Sequence, residues 1–155
     1  MNSFEKIIQE NCVLLNIEAN DQNDILSKLS DTLYKHGFVK DTFKNAVLER
    51  EAQFPTGLPL TSVGVAIPHT DAHHVARTAI GVAILKKPVE FSVMGSPGDK
   101  VHASIILMLA MDDGKKQIEL LQRLMEFFQK EEKLLALKEM KSEKEIAAYL
   151  ESQIF

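Results

Sequence analysis

The stretch Ser104-Ile105-Ile106-Leu107-Met108-Leu109-Ala110 carries no charge and no alternation of polar with apolar residues. A strand with one wet face alternates with period two, whereas an unbroken apolar strand has to be covered on both faces. This one run therefore asks for a sheet with helices on either side. Extended to Ala103 and Met111 it is still only about half of the ~20 residues that a membrane-crossing helix needs.

The rest of the chain supplies the covering layers. Val13 to Ile17 reads as a strand ahead of the polar cluster Asn20 to Asp24, a helix cap; Ile25, Leu29 and Leu33 then recur at helical spacing with Leu26 alongside, and Gly37 is a C′ stop. Asp41 is the expected cap of a second helix, with Phe43, Val47 and Phe54 on one stripe and Arg50 falling on that same stripe three residues after Val47. Pro55 to Pro59 breaks that helix and opens a constrained loop, and Val63 to Ile67 reads as a strand stopped by Pro68. Ala79 to Leu85 and Val101 to Met111 are two further strands, with Val89-Glu90-Phe91 as a small one between them and Gly95 to Lys100 as a turn. Three helices finish the chain. The first has a wide apolar face, Ile118, Leu121, Met125 and Phe128 beside Leu120, Leu124 and Phe127. The second runs from about Glu131 to Met140, and the third opens with a capping box, Ser142 to Glu145. The expected fold is an α/β protein: a three-layer α/β/α sandwich with a mixed central sheet, one domain over residues 1–155.

Composition narrows the function. With 45% hydrophobic residues, 7 glycines and 5 prolines in 155 residues, the chain folds without a disulfide or a structural metal. Eighteen basic against 22 acidic residues give a net charge of -4, and no basic stretch alternates with aromatics, so nucleic acid is not an expected partner. Cys12 has no second cysteine to pair with and suits a reducing compartment; it reads as a buried strand residue, and the expected location is the cytoplasm. Glu5, Lys6 and Gln9 interrupt the apolar residues of Met1 to Glu10, which lacks the apolar core of a secretory leader. Any membrane association would come through a partner.

Chemistry concentrates between Thr56 and His74, which holds three of the five histidines. Pro68 biases Ile67 to an extended conformation and presents His69 at a stiffened strand end. A neutral imidazole can attack phosphorus through one ring nitrogen if the other donates its hydrogen to a fixed acceptor. The transferred group would then need donors, for which Arg50, Thr56 and the backbone amides around Gly57 are the candidates. The alternatives are plain: His69 as a turn histidine bonded to neighbouring backbone, and Arg50 satisfying helix C-terminal carbonyls or pairing with a surface glutamate. A metal site is a further alternative, since His69 and His73 have the spacing of two ligands on a helical face and Asp71 or His74 would add a third. Against it, Pro68 keeps His69 out of a helix interior and no HExxH occurs. Neither GxxxxGK[ST] nor GxSxG is present, which argues against an ATP-binding kinase and an α/β-hydrolase.

Glu49-Arg50-Glu51, Phe54-Pro55-Thr56-Gly57-Leu58 and Gly64-Val65-Ala66-Ile67-Pro68-His69-Thr70 together resemble the enzyme IIA components of the bacterial phosphoenolpyruvate-dependent sugar phosphotransferase system, in the fructose–mannitol branch. The likeness continues through Pro88-Val89-Glu90-Phe91, Met94-Gly95 and the Gln117 to Phe128 helix, and is closest to galactitol-type members. It implies that His69 accepts phosphate from phospho-HPr and passes it to a cysteine of the cognate IIB, sugar being phosphorylated only downstream at the membrane IIC. By the same resemblance Arg50 matches the arginine of the family's RE motif and steadies the phosphoryl group, Thr56 and Gly57 match the loop beside the histidine, and no metal or organic cofactor takes part. Leu58, Leu60 and Ile67 are the expected floor of a docking face used transiently by both partners. Mannitol-type members carry a second active-site histidine where this chain has Lys115, Lys116 and Gln117, so the assisting group, whether His73, His74 or Lys115, stays open. Two other functions remain: a regulatory IIA-like module controlled by histidine phosphorylation, and a metal-dependent hydrolase using His69, His73 and Asp71.

Overall fold

In the computed structural model, which describes residues 6–155, the chain runs β1 (Val13–Ile17), α1 (Gln22–Lys35), α2 (Phe43–Gln53), β2 (Gly57–Pro59), β3 (Gly64–Ala66), β4 (Ala79–Val93), β5 (Ser96–Ala110), α3 (Gly114–Phe128), α4 (Glu131–Glu139) and α5 (Glu143–Ile154). The reading of the amino terminus falls partly on residues 1–5, outside the described residues. Two short 3-10 turns, Glu10–Cys12 and Ala72–His74, complete the inventory of the described residues. Cys12 therefore lies just ahead of the first strand rather than in it; it is fully buried, and burial pushes its thiol up to about 11.

The apolar run is the inner part of a 15-residue strand, β5, paired antiparallel with the equally long β4 from Ala79↔Ala110 to Val93↔Ser96. Val89-Glu90-Phe91 is not a separate strand. It continues β4 beyond an irregularity between Ile84 and Val89, because its partners Val101, His102 and Ala103 belong to the same hairpin arm. The turn likewise shrinks to Met94-Gly95, with Gly95 at φ +75, and residues 96–100 are strand. β1 lies parallel on β4, β3 lies parallel on β5, and β2 lies antiparallel on β3 while meeting the far end of β4 at Gly57↔Val93. The result is a five-strand mixed sheet.

Both faces of that sheet are covered, as the apolar run requires. Ile105, Leu107 and Leu109, with Ile80, Val82 and Ile84, pack under α3, α4 and α5; Ile106, Met108 and Ala110, with Ala79 and Ala83, pack under α1 and α2. This is a single α/β domain in three layers.

The helix ends show which sequence signals act locally. Asp21 caps α1 by accepting from the Asp24 N–H at 2.8 Å. At the other end Gly37 takes φ +81, the Phe38 N–H returns to the Leu33 carbonyl and the Gly37 N–H to that of Tyr34, a Schellman stop sealed by Phe38 and Leu33 in the same core. Ser142 caps α5 by accepting from the Glu145 N–H. Asp41 does not cap α2. Thr42 holds the cap position without a side-chain bond to the helix, its hydroxyl instead meeting His74 Nδ1 at 2.8 Å. Phe54 leaves the helical stripe at the C-cap and is 61% exposed, and Ile118, on the edge of the wide α3 face, is 63% exposed. Among the described residues no helix is long and apolar enough to cross a membrane.

Candidate active site

β3 ends at Ala66, and the chain leaves it along the edge of β5. The Leu109 N–H donates to the Pro68 carbonyl at 2.9 Å and His69 bridges to Leu109, so the stiff Ile67-Pro68 segment is pinned to the central strand. His69 Nδ1 lies 2.9 Å from the Ile67 carbonyl. A carbonyl oxygen only accepts, so Nδ1 carries the hydrogen and Nε2 keeps a free lone pair. The ring is partly buried, and burial holds its pKa below the usual imidazole value; the Ile67 bond opposes this, the Arg50 charge adds to it and Asp71 counters. His69 is accordingly neutral at pH 7. The histidine is bonded to neighbouring backbone, and that bond leaves the other ring nitrogen unprotonated.

The Ile67 N–H in turn donates to Thr56 Oγ1 at 3.1 Å, and the Thr56 hydroxyl donates to Glu51 Oε1 at 2.8 Å while its N–H donates to Glu51 Oε2 at 2.7 Å. Glu51 is 2% exposed and Thr56 3%. Burial raises the Glu51 pKa and the two Thr56 bonds pull it back. Sequence reasoning quoted Glu51 but assigned it nothing. The readable signal was its place four residues after Val47, which makes Phe43, Val47 and Glu51 the buried stripe of α2.

Arg50, one position earlier, does not share the apolar stripe as its spacing from Val47 predicts but faces outward, because Glu51 takes the buried position. Its guanidinium is 3.9 Å from the Asp71 carboxylate and its central carbon 5.3 Å from the Phe54 ring centre, so its surface acidic partner is an aspartate across the site rather than a glutamate. Arg50, Phe54, Thr70, Asp71 and His74 line an open pocket of about 190 Å³. His74 turns Nδ1 to Thr42, lies with its ring centre 3.9 Å from that of His73 at a 41° tilt, and is held below the usual imidazole pKa, mainly by desolvation and then by His73.

The remaining candidates are dispersed. Thr56 spends its hydroxyl within the buried chain and does not line the pocket. Gly57 lies in β2, where an added Cβ would fall 2.5 Å from the Ser92 carbonyl oxygen and 2.6 Å from Val101; the absence of a side chain there serves the seam between β2 and the β4–β5 hairpin. Lys115 is exposed at the start of α3, its N–H taken by Asp113. Ile67 is fully buried and cannot floor a docking face; Leu58 and Leu60 are half-buried. His69 precedes the Ala72–His74 turn, so it shares no helical face with His73, and among the described residues no three of His, Cys, Asp and Glu are grouped to hold a metal ion.

Comparison with known proteins gives a consistent picture. Residues 6–153 match the family described as "Phosphoenolpyruvate-dependent sugar phosphotransferase system, EIIA 2". The chain is similar to the galactitol-specific EIIA component of Escherichia coli (strain K12), 32% identical over 101 residues, 65% of this chain and 67% of that one. It is 26% identical over 149 residues to the mannitol-specific enzyme IIA component of Staphylococcus aureus (strain Mu50), covering 96% and 97% of the two. Among solved structures, enzyme IIA of the mannitol system in its complex with phosphorylated enzyme IIB from Escherichia coli superimposes with a TM-score of 0.73 at 20% identity, over 94% of this chain and 99% of that one.

Proposed function

We propose, from the premise that this chain belongs to the EIIA type 2 family of the phosphoenolpyruvate-dependent sugar phosphotransferase system and is a phosphotransferase component of it, that His69 Nε2 is the atom that carries the phosphoryl group. The donor is the phosphohistidine of HPr and the acceptor a cysteine of a cytoplasmic IIB, which in turn serves a membrane IIC. The lone pair on Nε2 forms a bond to phosphorus while the P–N bond of the donor breaks and its pair returns to the donor imidazole. In the second step the thiolate of IIB attacks, the new P–N bond breaks, and its electrons return to Nε2. No proton has to move on His69 in either direction, because Nδ1–H stays on the Ile67 carbonyl throughout.

Arg50 is the cation assigned to the equatorial oxygens, released from the exposed, 3.9 Å contact with Asp71 at small cost. Thr56 acts by holding Ile67, and Gly57 by letting β2, which Thr56 directly precedes, close on the β4–β5 hairpin. The IIB acceptor is supported by the complex of a structural relative with its phosphorylated IIB, and galactitol as the transported sugar by the 32% identity to a galactitol-specific component. The observation that carries the reading is the Nδ1 bond to a carbonyl, which leaves Nε2 unprotonated.

Incubation with phospho-HPr tests it. One acid-labile phosphate should appear on His69 and pass to the IIB cysteine, and His69→Ala should take up none. Phosphorylation of that variant at the wild-type rate would overturn the assignment. Phosphate that passes to a mannitol-type but not a galactitol-type IIB would overturn galactitol as the sugar, and stable phosphorylation that neither type of IIB can discharge would overturn the transport role and leave a regulatory one.

A further inference from the structure

The buried acceptor at the end of the hydrogen-bond chain has no part in the transfer as derived above. Glu51 lies one residue from Arg50 yet faces a different way, sealed from solvent, with both carboxylate oxygens taken by Thr56. A buried carboxylate is costly, and an apolar residue at the third position of the Phe43–Val47 stripe would have packed there without that cost. What the carboxylate does instead is fix one rotamer of Thr56. Its hydroxyl has a single hydrogen, and Glu51 takes it, so the lone pairs of Oγ1 turn to the Ile67 N–H. Ile67 is thereby held by both of its polar groups, its N–H on Thr56 and its carbonyl on His69 Nδ1.

We propose that Glu51 is a positioning residue for His69: through Thr56 and the Ile67 backbone it fixes the carbonyl that keeps the imidazole in the Nδ1–H tautomer, with Nε2 open to attack. The inference rests on the reading of His69 as phosphoryl carrier only for its effect on rate, since its effect on the tautomer is a property of the protein alone. A carboxylate suits the place better than an amide. Gln at 51 would set its NH2 against one of the two Thr56 donors, or force the Thr56 hydroxyl hydrogen to where it meets no acceptor, and either way the pin on Ile67 loosens. A proton then free to sit on Nε2 blocks the nucleophile.

The experiment is Glu51→Gln in the full chain, read by long-range 1H–15N correlation spectra of the His69 ring and by the rate of phosphoryl uptake from phospho-HPr. Glu90→Gln, which removes an exposed carboxylate from β4, is the matched control. Wild type and control should show Nδ1–H alone. Glu51→Gln should show a mixture with Nε2–H and a transfer rate reduced about tenfold or more. Thr56→Val cuts the same chain at the hydroxyl and takes the place of Glu51→Gln if the latter does not fold. A folded variant with the wild-type tautomer overturns the proposal, as does a shifted tautomer with an unchanged rate. A wild-type His69 that takes up no phosphate would sink the carrier reading while the tautomer result still decides the role of Glu51.

Discussion

The two helical layers of this protein face the same sheet but are built to different specifications. α3 buries Leu120, Leu124, Phe127 and Phe128 against the large side chains Ile80, Val82, Leu107 and Leu109, and its buried stripe is wholly apolar. α2, on the other side, buries Phe43 and Val47 and then Glu51, in a layer it shares with α1. One layer gains stability from every buried position; the other gives up one position to a carboxylate and thereby reaches the strand end where His69 stands. The contrast teaches where to look for chemistry in a layered fold: at the polar residue that interrupts an otherwise regular buried stripe.

The sharpest break in this comparison comes from Leu124→Ala. Fully buried in the apolar layer, it should cost about 2–5 kcal/mol in urea denaturation while phosphoryl uptake per folded molecule stays at the wild-type value. If uptake fell in step with stability, the layers would not be separable. Arg50→Ala should do the reverse, lowering transfer on the order of 10²–10³-fold, the loss typical of a removed transition-state donor, with a denaturation midpoint close to wild type because the side chain is well exposed. Glu51→Leu converts the α2 stripe to the α3 kind. It should still destabilise, by about 1–3 kcal/mol, because the Thr56 N–H and hydroxyl lose their acceptor; a stabilised variant would show that the carboxylate was mere cost.

The smallest effect is on the pH dependence of stability. Burial lowers the folded pKa of His69, so the unfolded chain takes up a proton first as pH falls. Its contribution is whole above the ordinary imidazole range near ~6.5 and is lost as pH drops through that range toward the depressed folded value. Thermal melts from pH 7.5 downward should therefore fall less steeply for His69→Phe than for wild type. His74, also lowered, supplies a slope common to both proteins. Glu51 acts in the opposite sense at lower pH: its folded pKa is raised, so protonation favours the folded state.

Legibility in the sequence followed the range of the interaction. The α1 cap at Asp21, its Schellman stop at Gly37 and the Ser142 cap of α5 are contacts within a few residues, and the sequence signals for them hold. Asp41 is the better cap by type, yet the boundary falls at Thr42, whose hydroxyl meets His74, 32 residues on, and not the helix. Val89-Glu90-Phe91 looked separate because the polar Lys86-Lys87-Pro88 interrupts the apolar pattern, yet pairing with residues 101–103 carries the strand on. At the site, proline and histidine pointed to the ring whose Nδ1 meets the Ile67 carbonyl, and the arginine to the guanidinium that faces Asp71. Glu51, the residue that ties the layer to the site, was hidden beside Arg50 because adjacent helical residues face different ways.

The sequence by itself determined the layers: a strand too apolar to be wet on either side, helices with a face to bury, and a histidine set by proline at a strand end. Those are consequences of periodicity and backbone restriction, which act along the chain. Only the tertiary structure decided that the Thr56 hydroxyl would link Glu51 to the Ile67 N–H, and so tie the end of α2 to the short-range bond that His69 Nδ1–H donates to the Ile67 carbonyl. Hydrogen-bond partners are chosen by direction and distance in space, and β2 had to fold back on β3 before the Thr56 hydroxyl and the Ile67 N–H could meet.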